Sequence, residues 1–176
     1  RLIEDFMILA NVAAAEALEK AQVPLIYRVH DEPSLEKIRS LSEVLQSIGS
    51  QLPRNAKLRS RDFNGILVQY RGSEHEHFVN EVVLRSQAQA EYATENYGHF
   101  GLHLRRYAHF TSPIRRYADL IVHRALIRAH KFGPDGLSDA VIPDLADISA
   151  EISAAERRAM AAERETIERL IAFHLS

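Results

Sequence analysis

Residues 107–117 read YAHFTSPIRRY, and the character of the sequence changes in the middle of this stretch. Up to Thr111, aromatic residues alternate with small or polar ones, which is typical of a β-strand. Thr111 or Ser112 is a good N-cap, and Pro113 suits the first position of a helix. The helical spacing of the apolar residues then continues through Ile114, Tyr117, Ala118, Ile121, Val122 and Ala125. The stretch therefore predicts a strand leading into a capped helix that begins at Pro113.

Two adjacent arginines, Arg115 and Arg116, fall in the first turn of this predicted helix. The N-terminus of a helix already carries partial positive charge, so two cations there are locally unfavourable unless they meet an anion. Free backbone amides together with guanidinium groups form a site for a phosphate or a carboxylate. The alternative is that both arginines point to solvent or pair with Asp119 and Glu95. Their spacing alone favours neither interpretation.

The composition of the 176 residues is that of an ordinary globular protein, with a net charge of −2. The chain as a whole is therefore not a basic nucleic-acid binder. Between residues 99 and 130, however, Asp119 is the only acidic residue, and the cations are Arg105, Arg106, Arg115, Arg116, Arg124 and Arg128. The chain has no cysteine, which excludes disulfides and fits a cytoplasmic protein. No apolar run reaches membrane-spanning length, so no membrane partner is expected.

Apolar periodicity predicts mostly helical structure on either side of this stretch. A first helix has Glu4 in its first turn and Asn11 on the same side two turns later. A connector covers residues 51–60, and a β-like run covers residues 25–29. The predicted helices cover residues 2–21, 35–48, 62–70, 73–92, 113–131 and 144–174.

An antiparallel hairpin is predicted between residues 99 and 110, with a turn at Arg105 and Arg106. It would carry His99, His103 and His109, but no carboxylate pattern accompanies these histidines to support a zinc site. His30, in a turn, is interpreted as a hydrogen-bonded structural histidine.

Several short blocks resemble the catalytic domain of the ribonuclease II / ribonuclease R family of 3′-to-5′ exoribonucleases, in the family's order. The resemblance is closer to the ribonuclease R branch. Besides the run from residue 99 to 124, the blocks are residues 3–11 (IEDFMILAN), 28–33 (RVHDEP), 84–86 (LRS) and 96–102 (NYGHFGL). The resemblance implies an α+β, mostly helical fold: the C-terminal half of an RNB-type catalytic domain with a small antiparallel strand element.

The family holds Mg²⁺ with a cluster of aspartates in the first half of the domain, and nothing in this chain resembles that cluster. Residues 1–176 are therefore expected to form a partial RNB domain that lacks the upstream aspartate-bearing half and the downstream OB-type RNA-binding domain. No metal ligand is expected in this chain. The expected partners are single-stranded RNA and the remainder of the catalytic domain.

The resemblance implies hydrolysis of single-stranded RNA from the 3′ end to nucleoside 5′-monophosphates, with this chain inactive alone. Arg115, followed by Arg116, is the candidate for stabilising the scissile phosphate in the transition state. The candidates for RNA contact are Glu4, Arg85, Arg105, Arg106, Tyr107, His109, Ser112 and Tyr117.

Two other classes of function remain open from the sequence. In a non-catalytic RNA-binding module, the arginine-rich segment would grip phosphates without chemistry. In a structural helical interaction domain, the chain would have no role with RNA.

Overall fold

The computed structural model describes residues 2–52 and 58–175, so residues 53–57 of the predicted connector lie outside the described part. The described residues are mostly helical, with one two-stranded antiparallel sheet. In chain order the elements are α1 (Leu2–Ala21), β1 (Tyr27–Val29), α2 (Leu35–Ser47), α3 (Ser60–Tyr70), α4 (Glu76–Ser86), β2 (Glu91–Ala93), α5 (Tyr117–His130), a 3₁₀ turn (Ile142–Asp144) and α6 (Leu145–Leu175). The predicted α+β class is confirmed. None of the helices in the described ranges has the length and apolar character needed to cross a membrane.

The chain forms two compact units. The first unit comprises residues 1–28, 91–96 and 106–176. Here α1 packs on α5, and α6 packs on β2, where the Tyr92 amide donates to Ser153 Oγ at 2.9 Å. Small residues let the helices approach closely, and the buried set includes Ala14, Ala15, Leu18, Ala108, Ala118, Ile121, Val122, Ala125 and Leu145.

The predicted first helix is confirmed, but only part of its apolar face is buried. The buried positions are Asn11, Ala14, Ala15 and Leu18, which follow helical spacing. The apolar residues of the first two turns are exposed, including Ile3 and Phe6. In this unit the packed face of α1 therefore begins only near Asn11.

The second unit comprises residues 29–90 and 97–105, with α2 and α3 both packing on α4. Its buried core consists of Leu41, Leu45, Leu58, Phe63, Ile66, Val79 and Val83. Ser34 caps α2 by accepting from the Lys37 amide. This unit also has a cleft of about 370 Å³ beside Phe63 and Phe100.

His30 is a hydrogen-bonded structural residue of the second unit, as predicted, but it lies in a β-bridge with His99 and not in a turn. It is buried, its Nε2 donates to the Ala88 carbonyl at 2.8 Å, and its Nδ1 accepts from the Gly101 amide at 2.8 Å. Both ring nitrogens are thus occupied within the unit. A Cβ on Gly101 would lie 2.8 Å from His30 Nδ1, so the ring also requires glycine there.

The predicted hairpin between residues 99 and 110 is wrong. Residues 99–104 form a tight loop instead, in which the His99 and Leu104 backbones exchange two hydrogen bonds and His103 has a φ of +54°. The loop closes too early for a long strand to follow. The antiparallel sheet is formed by β1 and β2.

The helix predicted from residue 73 to 92 is too long, because α4 ends at Ser86. Gln87 is extended, with φ −70° and ψ 153°, and its side chain joins the Ser86 hydroxyl in donating to the Val83 carbonyl at the helix end. Because the helix ends at Ser86, the following residues can form β2, and Tyr92 belongs to the sheet.

Candidate functional site

The two arginines lie on a single turn before α5, not in the first turn of the helix as predicted. The Arg115 and Arg116 amides both donate to the Ser112 carbonyl, at 3.3 and 3.2 Å. Arg116 is extended, with φ −126° and ψ 120°, and serves as the N-cap residue, so α5 begins at Tyr117. Asp119 then occupies the first turn of α5, where a negative charge is favourable.

Asp119 explains why the helix begins late. Its carboxylate is fully buried, at 0% exposure, and it accepts from Arg116 Nε and Arg116 Nη2, each at 2.8 Å. It also accepts from the Ser112 amide at 2.8 Å. Arg116 must be extended to present its guanidinium to this carboxylate, which prevents it from continuing a helix. For Arg116, the pairing with Asp119 that the sequence left open is therefore found.

Arg115 is in the opposite situation. It is exposed, and its side chain has no hydrogen-bond or ion-pair partner among the residues described here. Its neighbour Ile114 is 98% exposed, which corrects its place in the predicted buried helix face. Both side chains are exposed on the turn that precedes α5. The first unit thus displays a free guanidinium on a segment fixed through Asp119.

The segment before this turn is held from α1 by Asn11, which is 3% exposed. Asn11 Oδ1 accepts from the Phe110 and Thr111 amides at 2.9 and 3.2 Å. Asn11 Nδ2 donates to Tyr107 Oη at 2.9 Å. These side-chain bonds take up backbone donors that a strand would give to a ladder, so the strand predicted for this segment does not form.

Two further side chains hold the same segment. His123 Nε2 donates to the Phe110 carbonyl at 2.8 Å, and the two rings stack with centroids 4.3 Å apart. Tyr92 Oη and His109 Nδ1 are 3.0 Å apart. Burial raises the pKa of Tyr92 and the nearby Arg28 opposes this rise, so the phenol stays protonated at neutral pH.

Arg106 is held by a structural carboxylate. Glu19 Oε2 is 3.1 Å from Arg106 Nη1, while Glu19 Oε1 accepts from Tyr27 Oη at 3.0 Å and from Asn96 Nδ2 at 3.1 Å. Burial, reinforced by the hydrogen bond to Glu19, raises the pKa of Tyr27. Arg106 is thus partly neutralised within the first unit.

The structure brings only some of the predicted site residues together. Ser112, Arg115, Arg116 and the half-exposed Tyr117 lie on consecutive parts of one turn, whereas Tyr107 is buried with its hydroxyl bound to Asn11. Glu4 is exposed on the first turn of α1. Arg85 and Arg105 belong to the second unit, where both are exposed and Arg85 pairs with Glu81 at 2.5 Å.

The sequence interpretation missed the positioning role of Asn11. The available signal was a polar residue within the buried spacing of α1, alongside Ala14, Ala15 and Leu18. A polar residue on a packed stripe requires hydrogen-bond partners from another element. The sequence could not show that those partners are the amides of Phe110 and Thr111.

A metal ion does not fit the described residues. No group of three or more histidine or acidic side chains in residues 2–52 and 58–175 is arranged to hold one. Asp119, the fully buried carboxylate of the site, is already engaged by three donors. The described site is suited to binding an anion.

Comparisons with known proteins agree on the family. The family model of the RNB domain matches residues 1–131. Ribonuclease R of Aquifex aeolicus is 41% identical over 175 residues, covering 99% of this chain and 25% of that protein. Ribonuclease R of Escherichia coli is 41% identical over 176 residues, covering 96% of this chain and 22% of that protein.

Solved structures of Mycoplasma genitalium RNase R are similar to this chain over 99% of its length, at 30% identity. The TM-score is 0.89 for the apo form and 0.88 for the complex with ribose-methylated single-stranded RNA, and the matched part is 28% of each solved chain. The chain thus spans about a quarter of the length of these relatives. With a family model matching most of its residues, this chain belongs to the RNB domain family.

Proposed function

We propose that this chain is the phosphate-binding and scaffold part of a 3′-to-5′ exoribonuclease. The proposed reaction is hydrolysis of single-stranded RNA from its 3′ end to nucleoside 5′-monophosphates. The similarity to proteins named ribonuclease R, one of them solved with single-stranded RNA, supports the substrate class. Because the chain spans only part of those relatives, we propose that it acts with the remainder of its catalytic domain and is inactive alone.

The observation that carries this proposal is the contrast between Arg115 and Arg116. Arg116 uses Nε and Nη2 to bind a buried carboxylate, whereas Arg115 is exposed and unpaired within the described residues. Holding a flexible cation on a fixed turn reduces the ordering required when an anion binds. A free guanidinium is also well suited to a phosphate, since two of its N–H groups can engage two phosphate oxygens.

In the proposed reaction, a water oxygen attacks phosphorus and the bond from phosphorus to the 3′-oxygen breaks. The 3′-oxygen leaves with a proton, and the phosphate remains on the 5′-oxygen of the released nucleotide. Negative charge builds on the phosphate oxygens in the transition state, and a preorganised Arg115 would stabilise it. Arg116 is the second candidate, because its Nη1 has no bond to Asp119.

The other proposed RNA contacts differ in how freely they reach solvent. Tyr117 is half-exposed and available to a nucleotide, whereas Tyr107 is buried and supports the segment from behind. The remaining proposed contacts are Glu4, Arg85, Arg105, Arg106, His109 and Ser112.

The family resemblance also implies Mg²⁺, and the lack of cysteine fits a cytoplasmic location. We retain both as proposals. Since the described donor set does not fit a metal ion, no step of the reaction is assigned to one here. Exposed apolar side chains on α1, including Ile3, Phe6 and Leu9, support the proposal that the remainder of the domain covers this surface.

A non-catalytic RNA-binding module is the second candidate, because the exposed Arg115 guanidinium would hold a phosphate without any chemistry. A fold does not by itself establish a reaction. Such a module would bind RNA with steep salt dependence and would leave it intact. A helical interaction domain would do neither.

The test uses 5′-labelled single-stranded RNA with magnesium and the intact protein, with the isolated 176-residue chain in parallel. We expect the intact protein to give a ladder that recedes from the 3′ end, and the isolated chain to give none. Binding without shortening by the intact protein would replace the nuclease proposal with the RNA-binding module. Shortening by the isolated chain would show that its own carboxylates support the chemistry.

A further inference from the structure

We propose that Asn11 is a positioning residue, which fixes the backbone of residues 107–111 and thereby the turn that carries Arg115. The inference rests on the proposed function, in which Arg115 meets the scissile phosphate. Asn11 itself is almost completely buried in α1, so it acts through the segment and does not touch RNA.

The hydrogen bonds of Asn11 connect parts of the chain that are far apart in sequence. Its Oδ1 uses both lone-pair directions on successive amides, those of Phe110 and Thr111, and its Nδ2 donates to Tyr107. The Tyr107 hydroxyl is 96 positions away in sequence. One side chain therefore bonds two backbone donors and a phenol, and loss of the two amide bonds would destabilise this conformation.

The connection from Asn11 to Arg115 is short and stiff. Thr111 is followed directly by Ser112, whose amide donates to Asp119 and whose carbonyl accepts from the Arg115 amide. Each residue contributes only two soft backbone dihedrals, so few degrees of freedom separate Thr111 from Arg115. The segment is therefore fixed at two consecutive points, by Asn11 before the turn and by Asp119 within it.

The hydrogen bonds of Asn11 determine which substitutions test the inference. Leucine has nearly the shape of asparagine but makes none of these hydrogen bonds, so Asn11→Leu leaves the Phe110 and Thr111 amides without their acceptor. Aspartate keeps an acceptor for both amides, and the Tyr107 hydroxyl can rotate to donate to its second oxygen. Asn11→Asp should therefore preserve the segment better than Asn11→Leu.

The experiment compares these variants in the intact protein, with Leu18→Ala as a matched control. Leu18 is fully buried in the same helix, and its removal should lower stability without disturbing residues 107–111. We expect Asn11→Leu to lower kcat by about 10- to 100-fold while KM changes much less, because displacement of a catalytic group reduces turnover. Asn11→Asp should recover most of kcat, and Leu18→Ala should keep it at a temperature where the protein is folded.

Hydrogen–deuterium exchange of the peptide covering residues 107–116 gives a second readout that needs no activity. Exchange should rise in Asn11→Leu and stay near the unmodified level in Leu18→Ala. If Asn11→Leu does not fold, Asn11→Ala takes its place in both measurements.

Unchanged exchange in this peptide would overturn the inference, and so would a loss of kcat no larger than that of Leu18→Ala. If the unmodified intact protein degrades no RNA, the proposed nuclease function fails by itself. The exchange measurement would then still decide whether Asn11 fixes the segment.

Discussion

The Asp119 carboxylate binds the Arg116 guanidinium through two hydrogen bonds of 2.8 Å, across three positions of sequence. Asp119 has no exposed surface, and the side chain of Arg116 is only 21% exposed. The same carboxylate accepts from the Ser112 amide. This pair therefore ties both ends of the turn that holds Arg115 to the first turn of α5.

Asp119→Ala should destabilise the intact protein by about 3–5 kcal/mol, because it leaves a poorly hydrated Arg116 without its buried partner. The measurement is the midpoint of the unfolding transition that involves α5. Asp139→Ala is the control, since the Asp139 side chain that pairs with Arg128 is 89% exposed and its loss should cost less than about 1 kcal/mol. If Asp119→Ala and Asp139→Ala lose the same stability, the buried pair has no special structural importance.

Arg115→Ala should reduce turnover by about 10²- to 10³-fold, the usual effect of removing a group that stabilises transition-state charge. RNA affinity should fall far less, because the contact strengthens as charge develops on the phosphate. Single-turnover degradation and equilibrium RNA binding of the intact protein measure the two effects separately. Arg164→Ala, an exposed arginine on α6, is the matched control and should change neither.

If Arg115→Ala loses affinity and turnover equally, Arg115 contributes uniform binding rather than transition-state stabilisation. If neither changes, the proposed role of Arg115 is wrong.

Glu156→Ala should loosen the attachment of α6 to the strands of the first unit. Glu156 binds both terminal nitrogens of Arg28, at 2.6 and 3.1 Å, and Arg28 also lies 4.6 Å above the Tyr92 ring. Hydrogen bonds to charged groups contribute about 1.5–3 kcal/mol each, so a clear loss of thermal stability is expected. Glu165→Ala on the same helix, where the exposed carboxylate pairs with Arg169, should have little effect.

Tyr27 should make the protein sensitive to alkaline pH. Burial, together with the hydrogen bond to Glu19, raises its pKa above the ordinary value of 10.0. The folded protein therefore keeps the proton in a pH range where the unfolded chain releases it. The stability that Tyr27 contributes is fully present below about pH 10 and declines above it, as far as the raised folded pKa.

Thermal unfolding of the intact protein between pH 8 and pH 11 tests this expectation, with Tyr27→Phe as the variant. Tyr27→Phe should be less stable near neutral pH, because it loses the bond to Glu19. Its alkaline decline should be shallower than that of the unmodified protein. Parallel declines would show that Tyr27 does not carry the dependence, and Tyr92→Phe would then test the other tyrosine whose pKa is raised.

Gly101→Ala should destabilise the second unit by about 1–3 kcal/mol through overpacking. The new Cβ would meet His30 Nδ1 at 2.8 Å, and the His30 ring is held at both nitrogens. Gly65→Ala is the control, because a Cβ there meets nothing within 4 Å and alanine favours a helix by up to about 1 kcal/mol. In urea unfolding, the midpoint concentration should therefore fall for Gly101→Ala and rise for Gly65→Ala.

Much of the helical framework could be read from local sequence. Apolar spacing placed α1 and α6 within a residue or so of their observed ends, and it placed the start of α2 at Leu35. These features depend on side chains one or two turns apart, which periodicity records directly. The short blocks that resemble the ribonuclease II / ribonuclease R family were likewise visible in the sequence and indicated the family that the comparisons confirm.

The site was less accessible from sequence. The alternation of residue types between residues 99 and 110 indicated strands. However, the Phe110 amide donates to Asn11 and the Phe110 carbonyl accepts from His123. Pro113 indicated a helix start, but Arg116 extends to reach Asp119 and delays the helix to Tyr117. In both places a hydrogen bond to a particular side chain outweighed a weak local preference.

The sequence by itself therefore determined the helical framework and the family, because both are recorded in residue types and their local spacing. It singled out Arg115 and Arg116 but did not decide between an anion site and ion pairing. Only the tertiary structure decided that Arg116 is neutralised while Arg115 has no partner in residues 2–52 and 58–175, and it did so through the buried carboxylate of Asp119. It also decided that Asn11 fixes a segment about a hundred residues away. A buried polar side chain must find its partners wherever the fold brings them, and local spacing does not contain that information.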